Sequence, residues 1–291
     1  MSTSTSPLNL RVAIKKLDSL PTMPVIAQKL LSIQTDSEGG QRQMLSLIEQ
    51  DPQILARVVG LANSPMLGTS RKTSSISDAA MILGFNKIKA VASGIAIMSI
   101  KAGNNSGALN QHDLWMHNLG IAFAMIAIGR AMPKKLRPQD DSIFLAGMLH
   151  DIGYLALAHL DPKTSNELHT YQAAAPSRPI LEIERSLMNI CHDELGAELA
   201  RHWNLPKEII NVIRYHHIPD APDAPKDQPL IRMIYIAEKM LPSFGMNEHV
   251  DTGIHDSDWE ALSIEPSNAE EILIQAAEQA DQAALFAANI G

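Results

Sequence analysis

A single cysteine, Cys191, excludes an intrachain disulfide and fits a reducing compartment. Aromatic residues make up only 4% of the chain, and no stretch of useful length alternates apolar and polar residues as a half-buried strand does. Ala, Leu, Ile and Met supply the apolar mass instead, which favours helices over sheets. Positive charge is in deficit: 24 Lys and Arg stand against 32 Asp and Glu, a formal net charge of −8. Nucleic acid and anionic membranes are recognised by basic footprints, so neither is an expected direct partner. The start, MSTSTSPLNL, has neither the basic residues nor the apolar core of a secretory leader. The longest apolar stretches, near 90–100 and 119–129, fall well short of the roughly 20 residues a bilayer crossing needs and read as buried helices. A cytoplasmic location is the expectation.

What is present reads almost everywhere as helix. Val25, Ile26, Leu30 and Ile33 recur at helical spacing, Asp51-Pro52 forms a cap and first-turn proline for a helix running to about 62, and Gly84 closes a short helix begun at SISD. Another helix follows over 86–100. A polar segment, 103–111, reads as a linker. Beyond it the pattern predicts helices over 112–132, 142–152 (ending at Gly153), 180–202, 206–217 and 229–241, with the four-proline insert 218–229 as loop. SDWE (257–260) and SNAE (267–270) have the form of capping boxes for terminal helices. The expected fold is all-α and two-part, an N-terminal helical bundle packed on a second one. Residues 1–9 are expected to be disordered, 10–105 and 106–245 to form the two halves, and 246–291 to add peripheral helices.

Four His-Asp dipeptides occur, at 112–113, 150–151, 192–193 and 255–256, where composition predicts about 0.6. Helical spacing separates them. His117 is in line with Gly120, Ile121 and Ala124; His150 follows Ile143 and Ala146; Asp151 follows Phe144 and Met148; and His192 shares a stripe with Leu195 and Leu199. His216 continues Ile209 and Val212, His217 continues Ile210 and Ile213, and Glu238 lies on the face of Ile231 and Ile234. Asp193 points about 100° away from His192, outward toward the side of Glu184 and Glu198 rather than the core. One histidine on an apolar face is ordinarily a hydrogen-bonded core residue. Ionisable groups directed inward from five helices form the pattern by which helical bundles build metal sites, and mixed imidazole and carboxylate donors suit divalent first-row metals.

These segments resemble a known family. LPTMPVIAQKLLSIQTD, LIEQDPQILARVVGLANSPMLG and SISDAAMILGFNKIKAVA in the first half, with LWMHNLGIAFA, FLAGMLHDIGYLAL, CHDELGAELARHWNLP and IRYHHIP in the second, are similar to the bacterial HDOD (HD-related output) domain over about residues 17–218. That family is related to the HD and HD-GYP metal-dependent phosphohydrolases. By motif, the resemblance implies His117 as first metal ligand, His150 and Asp151 as the His-Asp pair, then His192, His216 or His217, and Glu238 where the superfamily keeps a final Asp. It implies one or two divalent transition-metal ions, with Fe, Mn, Ni and Zn not distinguished, in an HD-like second half. The departures matter equally. Hydrolytic relatives have HDIGK where this chain has HDIGY, so Tyr154 replaces a cation suited to a transferring phosphate, and the Gly-Tyr-Pro loop is missing after His217.

HDOD proteins act as signalling modules. The resemblance therefore implies a regulatory module that meets partner signalling proteins and keeps a metal site without phosphodiesterase activity. The alternative is an HD-type hydrolase of a nucleotide or cyclic dinucleotide, with Asp151 as its catalytic carboxylate. A third reading, a small-molecule sensor using the same pocket, stays open beside the first.

Overall fold

Asp51 and Pro52 show how locally these helices are specified. The Asp51 carboxylate accepts from the Gln53 and Ile54 backbone N–H groups at 3.0 and 3.1 Å, and Pro52 takes the first helical position. Such a cap contributes about 1 kcal/mol. The structure, a computed structural model, describes residues 20–64, 72–100, 109–241 and 253–288. The expected tail 1–9 and most of the linker 103–111 lie outside the described residues.

Among the described residues every regular element is helical, so the fold is all-α. In chain order the helices are α1 (Val25–Ser32), α2 (Glu38–Glu49), α3 (Pro52–Ala62), α4 (Ile76–Leu83), α5 (Phe85–Met98), α6 (Gln111–Ala131), α7 (Asp140–Leu149) and α8 (Ile152–Leu160). There follow α9 (Pro162–Ala174), α10 (Ile180–Met188), α11 (His192–His202), α12 (Lys207–Tyr215), α13 (Pro229–Met240), α14 (Asp256–Glu260), a 3-10 turn (Pro266–Asn268) and α15 (Ala269–Ala288).

The centre is α6, buried continuously from His117 to Gly129, with α7, α13 and α15 packed against it and α5 packed against α7. A helix apolar on every side must be enclosed on every side. Helix α6 and the stretch 140–160 are in fact long and apolar enough to cross a membrane by length and composition, beyond what the sequence reading allowed, but 83% of each apolar window is buried inside the molecule. Close packing reaches across the chain. A Cβ on Gly94 of α5 would stand 3.3 Å from the Met148 side chain of α7. Helix α15 keeps Ile274 and Leu285 outward, yet buries Ile272, Ala276, Ala280 and Ala283, a firmer attachment than its acidic, alanine-rich sequence suggests.

Three boundaries differ from the sequence reading, each for a visible reason. The helix expected over 142–152 stops at Leu149, and α8 restarts at Ile152, so Gly153 lies inside a helix and does not end one. The single helix expected over 180–202 breaks after Met188: Asn189 adopts a left-handed conformation, φ 56°, and the Glu194 carboxylate accepts the Cys191 N–H at 3.0 Å to start α11. The terminal cap lies at His255, not Ser257, since the His255 N–H donates to Asp258 Oδ2 at 3.0 Å. The sequence pattern leaves α2, α8 and α9 unassigned, although Asp161-Pro162 opens α9 by the same device as Asp51-Pro52, with Asp161 Oδ1 accepting the Thr164 N–H at 3.1 Å.

Candidate metal centre

His150 and Asp151 occupy the joint between α7 and α8. His150 caps the C-terminus of one helix and Asp151 occupies the cap position of the next. The His150 Nδ1–H donates to the Gly147 carbonyl at 2.7 Å, because a carbonyl only accepts; Nε2 is thereby left as an acceptor facing inward. His216, at the end of α12, repeats the arrangement with the Ile213 carbonyl at 2.8 Å. His192 opens α11, and its Nδ1 faces the Glu184 carboxylate at 2.8 and 2.9 Å. His117 and Glu238 come from the interiors of α6 and α13.

All seven residues singled out in the sequence converge. They form two lobes that share one carboxylate. In the first, Glu238 Oε1 lies 3.2 Å from His117 Nε2 and 2.8 Å from His150 Nε2, while Asp151 Oδ2 lies 3.5 and 3.2 Å from the same two nitrogens. In the second, Asp151 Oδ1 lies 3.5 Å from His192 Nε2 and 3.6 Å from His216 Nε2. There His192 Nε2 is 3.1 Å from His216 Nε2 and 3.2 Å from His217 Nε2. Within each of the triads His117-His150-Glu238 and His192-His216-His217, one donor atom per residue lies within 4.8 Å of the others.

The donor set fits a cation. Both Asp151 oxygens and Glu238 Oε2 are buried without a hydrogen-bond partner, and His150 Nε2 stands close to Glu238 without the alignment of a hydrogen bond. Buried carboxylates in that state are costly unless positive charge compensates them. In the second lobe the Nδ1–H groups of His192 and His216 are taken up by Glu184 and the Ile213 carbonyl, so their Nε2 atoms, 3.1 Å apart, present lone pairs to one another, which a shared proton or a metal reconciles. His117, His150, Asp151, His216 and Glu238 are 0% exposed and His192 1%, while His217 is half-buried.

Protons bind where a metal would. Burial alone would lower the His117 and His150 imidazoles, but Glu238 and Asp151 outweigh it and hold both above the ordinary 6.5, His150 well above. Burial would raise Glu238, but the two histidines hold it well below its ordinary 4.5. For the metal-free protein the raised histidines contribute stability that is complete below pH 6.5 and lost as pH climbs through their folded values. Glu238 contributes stability present above pH 4.5 and lost as pH falls through its depressed value. The melting temperature of chelator-stripped protein is therefore expected to fall as pH rises above 6.5, and excess divalent metal to remove that fall. Differential scanning fluorimetry checks this; a melting temperature indifferent to both variables would contradict it.

Three neighbours complete the site: the Glu184 contact is not legible in helical spacing, Tyr154 stands out in the motif but its contact does not, and Asp193 lies elsewhere than its spacing predicts. Glu184 is fully buried and also accepts the His192 backbone N–H at 2.9 Å. Tyr154, fully buried, stacks on the His192 ring with centroids 4.4 Å apart and planes 16° from parallel. Asp193, expected to point outward, is instead buried and paired with Arg214 of α12. Beside them the Cys191 thiol is pushed up to about 12 by burial and by Glu184 and Asp193, so it is held neutral and inert.

The HDOD domain family model matches residues 20–219. Over 247 residues the chain is 28% identical to an uncharacterized protein from Treponema pallidum, covering 83% of this chain and 45% of that protein. The chain spans less than half the length of the curated relatives it matches. Among solved structures, an HDOD domain protein of unknown function from Geobacter sulfurreducens superposes with a TM-score of 0.75 at 25% identity, covering 97% of each chain. A protein from Marinobacter aquaeolei, provisionally assigned as a signal transduction protein, gives a TM-score of 0.77 at 24% identity over 97% of this chain and 65% of its own.

Proposed function

The chain belongs to the HDOD domain family, and we propose that it is a cytoplasmic signalling module that retains a metal site without phosphodiesterase activity and presents its helical surface to partner signalling proteins. One observation carries this reading: six of the seven candidate ligands are buried to 1% exposure or less, with the Tyr154 ring lying flat on His192. A phosphate ester needs a path to the reacting atoms and a cation beside them, and here an uncharged aromatic side chain occupies the position at which hydrolytic relatives place lysine.

In this reading His117, His150, Glu238 and one oxygen of Asp151 would hold one divalent ion, and His192, His216, His217 and the other oxygen a second. A metal bound there supplies Lewis acidity and lowers the pKa of a water on it. The chain's own residues hold the donors rigid: the Gly147 and Ile213 carbonyls fix the His150 and His216 tautomers, and Tyr154 keeps solvent off the His192 face. The site then pins five helices, a structural use of the ion.

The alternative, hydrolysis of a nucleotide or cyclic dinucleotide, is favoured by the near-complete ligand set, with Asp151 as the carboxylate that would orient water. Elemental analysis of purified protein, followed by phosphodiesterase assays with the detected metal restored, decides between them. Stoichiometric metal lost in His150→Ala, with no turnover of any nucleotide tested, is the expected result. Turnover abolished by Asp151→Ala would establish the alternative instead, and protein free of metal under all loading conditions would sink both.

A further inference from the structure

The two lobes are unequal in charge. The first has a carboxylate of its own, Glu238, in direct contact with His117 and His150. The second has three imidazoles and only its share of Asp151. Neutral imidazoles and half a carboxylate are poor compensation for a buried divalent ion. The missing charge stands one atom layer behind. Glu184, on α10, is fully buried; its two oxygens lie 2.8 and 2.9 Å from His192 Nδ1, and Oε2 accepts the His192 backbone N–H.

The surrounding carboxylates make the contrast. Asp193 is paired with Arg214 and Glu194 with Arg185, whereas no lysine or arginine pairs with Glu184 among the described residues. His150 and His216 rest their Nδ1 atoms on neutral carbonyls, so His192 is the one histidine among these three with an anion behind it. A carboxylate in that position fixes the ring, keeps the proton on Nδ1 and strengthens Nε2 as a donor. Tyr154 on one face and the edge-on His217 ring, 5.0 Å away, leave the imidazole little freedom. The Nε2 atom is held toward His216, His217 and Asp151.

We propose that Glu184 is a positioning residue that equips the His192-His216-His217 lobe to hold a divalent cation of its own. This rests on the metal reading above. With Glu184 included, each lobe has one private carboxylate and shares Asp151, enough for two ions per chain.

Cobalt(II) titration of the full chain, followed by its visible ligand-field bands and by elemental analysis, tests this. Wild type is expected to take two equivalents. Glu184→Gln preserves shape and removes charge; it should bind the first equivalent as wild type does and the second 10- to 100-fold more weakly, with the bands of that second ion altered. Glu184→Asp keeps the charge and should recover most of the loss. Metal-free melting temperatures of the variants should stay close to wild type. Two equivalents bound equally well by wild type and Glu184→Gln would overturn the role of Glu184 while leaving the metal reading intact. So would Glu184→Asp binding as weakly as Glu184→Gln, loss of both ions together with a lowered metal-free melting temperature, or a wild type limited to one equivalent. Wild type that binds no cobalt would overturn the metal reading itself.

Discussion

Asp151→Asn is expected to release both cations at once, an effect larger than removing any one histidine. Its two oxygens face different lobes: Oδ2 lies 3.2 Å from His150 Nε2, and Oδ1 lies 3.5 Å from His192 Nε2. Asparagine keeps the shape but carries no charge and presents an NH2 donor where one oxygen faced imidazole nitrogens. Loss of an outer-shell partner already costs about 10- to 100-fold in metal affinity, and a shared inner carboxylate should cost more, about 100-fold or beyond in each lobe. Glu238→Gln, by contrast, should weaken only the lobe of His117 and His150. Metal content after dialysis against fixed free metal checks the pair. One full equivalent retained by Asp151→Asn would show that the lobes do not depend on a common carboxylate.

The second large effect is on the fold. A Cβ at Gly153 would lie 2.0 Å from the His192 carbonyl oxygen and 2.7 Å from its carbon, and one at Gly196 would lie 2.8 Å from Ile213 Cγ2 and 2.9 Å from the Gly153 nitrogen. Backbone meets backbone where α8 crosses α11, so no rotamer change relieves the clash. Overpacking costs about 1–3 kcal/mol when side chains can yield; Gly153→Ala should therefore cost about 3 kcal/mol or more. It should also move His192 off Asp151 and weaken metal binding in the second lobe. Gly39→Ala is the control: on α2 the added methyl meets nothing nearer than Ser37 Oγ at 4.0 Å, and the change should stabilise by about 0.5–1 kcal/mol. Urea unfolding of the two variants measures both. A Gly153→Ala protein within 1 kcal/mol of wild type would mean the α8–α11 contact is looser than described.

The glycine of HDIGY thus has a packing reason that the sequence reading misassigned to a helix end. The same kind of gap hid Glu184. Read as one continuous helix over 180–202, Glu184 and His192 stand more than two turns apart on one rod, too far to touch. The turn at Asn189, φ 56°, folds the chain back and brings the carboxylate onto the ring. Asp193 was misplaced for a related reason: its partner Arg214 is 21 residues away, on a helix whose approach helical spacing does not reveal.

What the sequence determined by itself was local or statistical. Asp51-Pro52, the apolar periodicities and the turn at Gly84 fix helices through interactions a few residues long, and the motifs around His150-Asp151 identify the family. It also selected seven ionisable residues that converge, because helical phase is largely a property of spacing, although it passed over the buried Glu184 and Asp193. Tertiary structure decided their grouping into two lobes about Asp151, the burial of the whole set, and the Glu184 and Tyr154 contacts to His192. Those depend on helices meeting across separations as large as the 121 residues between His117 and Glu238, and on the volume that glycines at the crossings leave for them. Spacing sets which way a side chain points; only packing sets what it meets there.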